Sequence, residues 1–287
     1  MNGIYWLASY PKSGNTWFRI FLNNLLSNKD EPANINNMNV NTPIASGREL
    51  FDELVGYDSS DLTLAEIDNL RPDLYRLYAS EGDRVKYSKI HDAYTELEDS
   101  RKLIPKDLSL GAIYIIRNPL DVAVSFANHS SINFEESVSR LCKKDFAFCQ
   151  KDNIMSLQLR QKLLSWSGHV ESWTTQTDIK IHVMRYEDMK NNPYETFKAA
   201  VEFLGLDGKL DRLQKAIDFS DFKILKKQEQ ESGFNECPVK AKSFFREGKV
   251  ASWKKYLTNE QVQKIISSHK EVMIKFGYLS ADGKIIE

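Results

Sequence analysis

The apolar run Ile4-Tyr5-Trp6-Leu7-Ala8 breaks on Pro11-Lys12-Ser13-Gly14 and resumes almost at once as Trp17-Phe18-Arg19-Ile20-Phe21-Leu22. The first stretch suits a short buried strand. In the second, Trp17, Phe18, Phe21, Leu22 and Leu25 form one apolar stripe on a helix starting near Asn15. A strand, a tight loop and a helix in this order aim backbone N–H groups at an anion. A P-loop of the ATPase kind needs two glycines framing the turn and a lysine directly before a hydroxyl. Here Lys12-Ser13 is present, but the only glycine, Gly14, follows it. The parts of an anion cradle remain: Lys12 as a point charge, the Ser13 and Thr16 hydroxyls, and the first N–H groups of the helix. The same residues would suit a turn with a capping hydroxyl and a solvated lysine. This string alone does not separate the two.

Further strand patterns lie at 84–90, 111–116 and 179–185, each short and rich in Ile, Val and Tyr. Helical patterns alternate with them. One opens on the capping box Thr63–Glu66, one on Asn118-Pro119, and others cover 157–176, 193–204 and 258–276. The alternation predicts an α/β fold with a mostly parallel sheet covered on both faces. A chain of 287 residues suits a single domain over 1–287. Residues 28–47, polar and Asn-rich, and 226–250, charged and then irregular, read as long loops. Loops of that length in a compact domain are functional lids or disordered.

Charge limits what the anion is. A formal net charge of -1 leaves no global basic field for a nucleic-acid polymer, so local groups must hold a small anionic ligand. The three cysteines, Cys142, Cys149 and Cys237, lack metal-ligand spacing and are odd in number, which reads as a reducing cytoplasm. No metal site is expected. No apolar run approaches ~20 residues and no basic-then-apolar leader is visible, so the expectation is a soluble cytoplasmic protein without a membrane span.

A second string narrows the ligand. Residues 114–129 read Y-I-I-R-N-P-L-D-V-A-V-S-F-A-N-H, with Arg117 at a strand end and Ser125 two turns into the next helix. Together with the opening loop it resembles the sulfotransferase family that uses 3'-phosphoadenylyl sulfate (PAPS). Four more stretches look like the family's, in the family's order: W-S-G-H-V-E-S-W at 166–173, Tyr186-Glu187-Asp188-Met189, Ser220-Asp221-Phe222, and Arg246-Glu247-Gly248 through Trp253-Lys254. The resemblance implies a P-loop-like three-layer α/β domain, PAPS as co-substrate and adenosine 3',5'-bisphosphate (PAP) as product. It implies that Lys12, Ser13, Gly14, Asn15 and Thr16 hold the 5'-phosphosulfate. Arg117, Ser125, Arg246 and Gly248 would meet the 3'-phosphate, and Trp17, Tyr186, Ser220 and Phe222 the adenine. The late loop departs from the family: Glu247 stands where a lysine is common, and Ala251 and Ser252 replace a glycine and an aspartate. The family's dimer segment falls on 254–263, where Asn259 and Gln263 replace its valine and glutamate, so that dimer mode is not expected.

Sulfuryl transfer leaves the protein three jobs: take the acceptor proton, offset charge on the leaving oxygen, and hold the nucleotide. His91 in K-Y-S-K-I-H resembles the family's base, with Asp92 open as a carboxylate base instead. A near-neutral imidazole accepts protons at pH 7. Lys12 takes the second job, and Lys89, on the same strand face as His91, would assist the sulfuryl oxygens or cover the sheet edge. The other four histidines (129, 169, 182 and 269) read as structural. The long loops carry Asp52, Glu53, Asp58, Asp61, Glu229 and Glu231, either a solvated surface or an acidic mouth for a cationic acceptor such as a guanidinium or amine natural product. The reading is sulfuryl transfer to a hydroxyl or amine of a small molecule. The alternative is a P-loop-type small-molecule or nucleoside kinase. Segment 228–249 is expected either to close over the site when nucleotide binds, burying Phe244 and Phe245, or to be permanently packed by those phenylalanines.

Overall fold

A computed structural model of the chain describes residues 2–27, 29–38, 42–151 and 154–286; positions 28 and 39–41 of the expected 28–47 loop lie outside the described residues. The strands are β1 Ile4–Ser9, β2 Lys86–Ile90, β3 Ser109–Ile116, β4 Ala147–Phe148, β5 Gln161–Lys162 and β6 Ile181–Arg185. The first six helices are α1 Asn15–Leu26, α2 Arg48–Val55, α3 Leu64–Ser80, α4 Pro119–Ser130, α5 Phe134–Cys142 and α6 Trp166–Thr174. Then come α7 Tyr186–Asn191, α8 Pro193–Phe203, α9 Leu213–Phe219, α10 Phe222–Ser232 and α11 Asn259–Lys275. A parallel sheet in the order β2-β1-β3-β6, flanked by helices, makes this the α/β fold that the alternation predicts.

The chain falls into two compact units, one of Met1–Tyr10, Thr42–Tyr114 and Lys143–Val183, the other of Pro11–Asn41, Ile115–Cys142 and Met184–Glu287. The first unit holds nearly all of the sheet. Ile4, Trp6, Leu7 and Ala8 are buried, because a strand covered on both faces needs apolar residues at almost every position. β1 pairs in register with β2 from Ile4–Lys86 to Ala8–Ile90. Residues 43–45 then cover β2: Ala45 N–H donates to the Lys89 carbonyl at 2.8 Å, and Lys89 N–H to Pro43 at 2.9 Å. The exposed Arg84 and Val85 lie outside β2, two residues short of the expected strand. The helix expected over 157–176 is present only as α6, capped by the Ser165 hydroxyl. Before it, β5 pairs antiparallel with β4, and Leu164 takes a left-handed backbone with φ 61, which ends any helical register. The Thr63–Glu66 capping box opens α3 as expected.

In the second unit, α1 buries Phe18, Phe21, Leu22 and Leu25, with the Phe21 ring 4.1 Å from that of Phe197 on α8. Asn118 caps α4 and Pro119 takes its first position, where a missing N–H costs nothing. The acidic, aromatic end of 226–250 begins inside α10, which stops at Gly233 in the left-handed region. Beyond it, Phe234 and Phe245 are buried with Ile20, Ile35 and Leu225, and Phe244, Phe222 and Trp17 pack against them. Phe244 and Phe245 thus pack this segment against residues of α1 and α10.

Candidate active site

Within the second unit, the loop after β1 is shaped for an anion. Lys12 has a left-handed backbone, φ 70, uncommon for a residue with a side chain and typical of strained functional loops. Gly14 caps α1 with φ 111, and a Cβ there would lie 2.7 Å from the Tyr186 ring, so only glycine fits. No side chain caps α1 and no acidic residue sits in its first turn, which leaves its N–H groups and positive dipole end to a ligand. Ser13 is fully buried, yet its Oγ makes no hydrogen bond. A buried hydroxyl without a partner is costly, and a phosphate or sulfate oxygen would supply one. Asn15 and Thr16, the first residues of α1, are buried beside it. The Lys12 ammonium donates to His129 Nδ1 at 3.2 Å and lies 3.9 Å from the centre of the Phe244 ring. His129, read from sequence as a helix end, is thus a neighbour of the key lysine.

Arg117 is mostly buried where the chain leaves β3. It donates through Nη1 to the Lys12 carbonyl and through Nη2 to the Lys249 carbonyl, both at 3.1 Å, and its guanidinium covers the Tyr186 ring at 4.1 Å. Its Nε is buried without a partner, a second orphan donor that an anionic ligand would satisfy. Ser125 stands half-buried on α4. The turn that carries Arg117 is pinned by Glu187, whose carboxylate accepts from Asn118 N–H at 3.0 Å and from the Tyr278 hydroxyl at 3.1 Å. Burial pushes the Glu187 carboxyl above its ordinary range, while the Asn118 amide pulls the other way.

Trp17 meets Tyr186 edge-on at 5.8 Å and donates its indole N–H to the Ser220 carbonyl at 2.9 Å; the Lys190 ammonium lies 5.0 Å from its ring. Ser220 is fully buried, and its hydroxyl donates to Ala216 and accepts from Asn24. Its carbonyl thus fixes Trp17, while its hydroxyl is held by Ala216 and Asn24. Phe222 closes against Gly248, where any Cβ would run into its ring. Arg246, expected at the 3'-phosphate, donates instead to Glu247 and to the Tyr256 hydroxyl, each at 3.0 Å.

Two carboxylates missed in sequence hold the late segment. Asp121 accepts from Ala251 N–H, Ser252 Oγ and Trp253 N–H at 2.8 to 3.0 Å. Glu229 accepts from Ser243 Oγ and from the Phe244 and Phe245 amides at 2.6 to 2.9 Å. In sequence, Asp121 is one letter of the R-N-P-L-D string and Glu229 one of the acidic loop residues, and neither position marks these partners. Asp52 and Asp58 likewise brace the turn at Ser59 and Ser60, and Glu231 pairs with Lys227.

In the first unit, His91 follows β2 half-exposed. Its Nδ1 lies 2.8 Å from the Ser9 carbonyl and 3.4 Å from the Ser9 hydroxyl; the carbonyl only accepts, so the shorter contact favours the proton on Nδ1 and leaves Nε2 as the basic nitrogen. Its own carbonyl accepts from His169 Nε2 at 3.0 Å, and His169 Nδ1 accepts from the Tyr114 hydroxyl at 2.8 Å. Burial pushes His169 down to about 4, so this brace stays neutral. Asp92 is fully buried, with both oxygens on Arg71 at 2.9 and 2.6 Å and the Lys162 amide on one of them. It is a structural ion pair, not a carboxylate facing a substrate. Lys89 is half-buried on β2, with its backbone bonded on both sides. Among the described residues, no group of three or more His, Cys, Asp or Glu could hold a metal ion, and no helix is long and apolar enough to cross a membrane.

A family model for the sulfotransferase domain matches residues 4–277. Cytosolic sulfotransferase 8 of Arabidopsis thaliana is 29% identical over 272 residues, covering 90% of this chain and 73% of its own. Flavonol 4'-sulfotransferase of Flaveria chlorifolia is 23% identical over 274 residues, covering 90% and 75%. In fold, the chain is similar to retinol dehydratase, solved with androsterone and the inactive cofactor PAP. That structure superposes with a TM-score of 0.64 at 18% identity, over 94% of this chain and 80% of the other.

Proposed function

The chain belongs to the sulfotransferase domain family, and from that premise we propose that it moves the sulfuryl group of PAPS to a small-molecule hydroxyl or amine, releasing PAP. The observation that carries the proposal is the cradle itself: an uncapped helix start and a buried Ser13 hydroxyl without a partner, in the same loop as Lys12, whose ammonium meets His129 and Phe244. The kinase alternative is not favoured, since the family match spans 4–277 and the loop lacks the kinase glycine pattern. The reading of 1–287 as one domain rests on that single match over 4–277, within which the chain forms the two compact units. A cytoplasmic location rests on the relatives named as cytosolic.

PAPS, when bound, supplies an activated sulfuryl group on a phosphate that leaves with negative charge on the bridging oxygen. The N–H groups of α1 and the Ser13 hydroxyl hold the 5' anion, and the Lys12 ammonium offsets the charge that develops on the leaving oxygen. Arg117, with Ser125, binds the 3'-phosphate, and Trp17, Tyr186 and Phe222 enclose the base. His91 takes the acceptor proton on Nε2, because the Ser9 carbonyl holds the other nitrogen protonated. His129 steers Lys12 by accepting from its ammonium. Lys89 assists the sulfuryl oxygens. The carboxylates behind a cationic-acceptor reading largely brace their own loops, which lends that reading no support. A hydroxylated small molecule, as the flavonol enzyme's name describes for its own acceptor, is the first to assay.

His91 is the test. His91→Ala is expected to lower kcat at least ~10²-fold, as loss of a general base does. PAP affinity by titration calorimetry should stay within about two-fold, since the imidazole does not hold nucleotide in this scheme. Retention of more than about a tenth of kcat would move the role elsewhere.

A further inference from the structure

We propose that Glu247 is a built-in stand-in for the 3'-phosphate: its carboxylate occupies the cations of the late loop until nucleotide displaces it, which weakens PAP binding and speeds PAP release. The inference rests on the reading that Arg246 belongs to the 3'-phosphate site.

The cluster is built like an anion site whose anion comes from the chain. Arg246 Nη1 pairs with Glu247 Oε1 at 3.0 Å, and the Tyr256 hydroxyl donates to the same oxygen at 2.5 Å. Arg246 also donates to the Tyr256 hydroxyl at 3.0 Å and covers the Tyr256 ring at 4.9 Å, which closes a triangle of three side chains. The Tyr256 bond, with the charges of Arg246, Lys255 and Lys249, holds the Glu247 carboxyl below its ordinary range. It is therefore anionic at neutral pH, as a phosphate would be.

The triangle rides on fixed backbone. Asp121 accepts from Ala251, Ser252 and Trp253, and the Lys226 ammonium donates to the Arg246 carbonyl at 3.2 Å. The Lys249 carbonyl accepts from Arg117, so this loop is tied to the other arginine assigned to the same phosphate. A 3'-phosphate arriving here meets a guanidinium committed to a carboxylate and the carboxylate's own charge. The Arg246 and Glu247 side chains are 30% and 28% exposed, and ion pairs so open to water are weak. The stand-in therefore tunes affinity and does not block the site.

Titration calorimetry compares PAP with adenosine 5'-phosphate, which lacks the 3'-phosphate, on the wild type and on Glu247→Gln. Removing the charge is expected to tighten PAP roughly three- to five-fold, the upper range for one water-exposed ion pair, and to leave adenosine 5'-phosphate nearly unchanged. Product inhibition by PAP should strengthen by the same factor. Glu247→Ala gives the same reading should the glutamine variant fail to fold. A PAP preference unchanged or diminished in either variant overturns the stand-in. If the wild type itself binds both nucleotides equally, the 3'-phosphate reading fails instead, so the two failures are distinguishable.

Discussion

Arg117 shows how one side chain serves both architecture and ligand. A strand end favours a charged residue, and the R-N-P-L-D string named this one. Only the fold shows that its guanidinium lies on Tyr186 and bonds the carbonyls of Lys12 and Lys249. Losing a charge-assisted bond costs about 1.5–3 kcal/mol. Arg117→Ala should therefore weaken PAP by roughly one to two orders of magnitude and adenosine 5'-phosphate far less. Equal weakening of both ligands, measured by calorimetry, would reduce the arginine to a brace. Lys12, Ser13 and Gly14 were legible because they are adjacent in a loop of characteristic shape. His129 was not, since its partner Lys12 is 117 positions away and no local pattern encodes that pairing.

Elements were legible where their signals are local. The Thr63–Glu66 capping box set the start of α3, and Asn118-Pro119 that of α4. The 157–176 pattern misled because Gln161 and Lys162 pair with β4, a pairing set by chain outside the window. The late segment lacks any period, and two carboxylates hold it instead. Asp121 is nearly fully buried with three donors on it, so Asp121→Asn should loosen residues 251–253. Amide exchange there is expected to quicken by about tenfold or more, with PAP affinity falling alongside, as losing one charged hydrogen bond would dictate. Exchange as slow as in the wild type would show that the segment is fastened elsewhere.

At the scale of the whole molecule, two buried histidines link stability to pH. Burial pushes His169 and His269 each down to about 4 from the ordinary 6.5. The unfolded chain takes these protons first as pH falls, so stability is full above about 6.5 and is lost between there and about 4. The effect is at most ~3 kcal/mol for each. Glu187, with its carboxyl pushed up, works in the opposite sense and regains stability as it protonates. Urea unfolding at pH 7.5, 5.5 and 4.5 should therefore show a shallower decline in His269→Gln than in the wild type. Parallel pH curves would remove His269 from the linkage.

What the sequence determined by itself is whatever is written in neighbouring residues: the strand–loop–helix, the caps, the α/β alternation, and the strings that mark a sulfotransferase. Tertiary structure alone decided which carboxylates are structural and which nitrogen of His91 is basic. It also decided that Arg246 rests on Glu247 rather than in the open. The physical reason is that charge and hydrogen bonding act through space. Asp92 became a buried partner of Arg71, and Asp121 the clasp of a loop 130 residues away. A donor or acceptor in a one-dimensional string carries no mark of the partner that folding will bring to it.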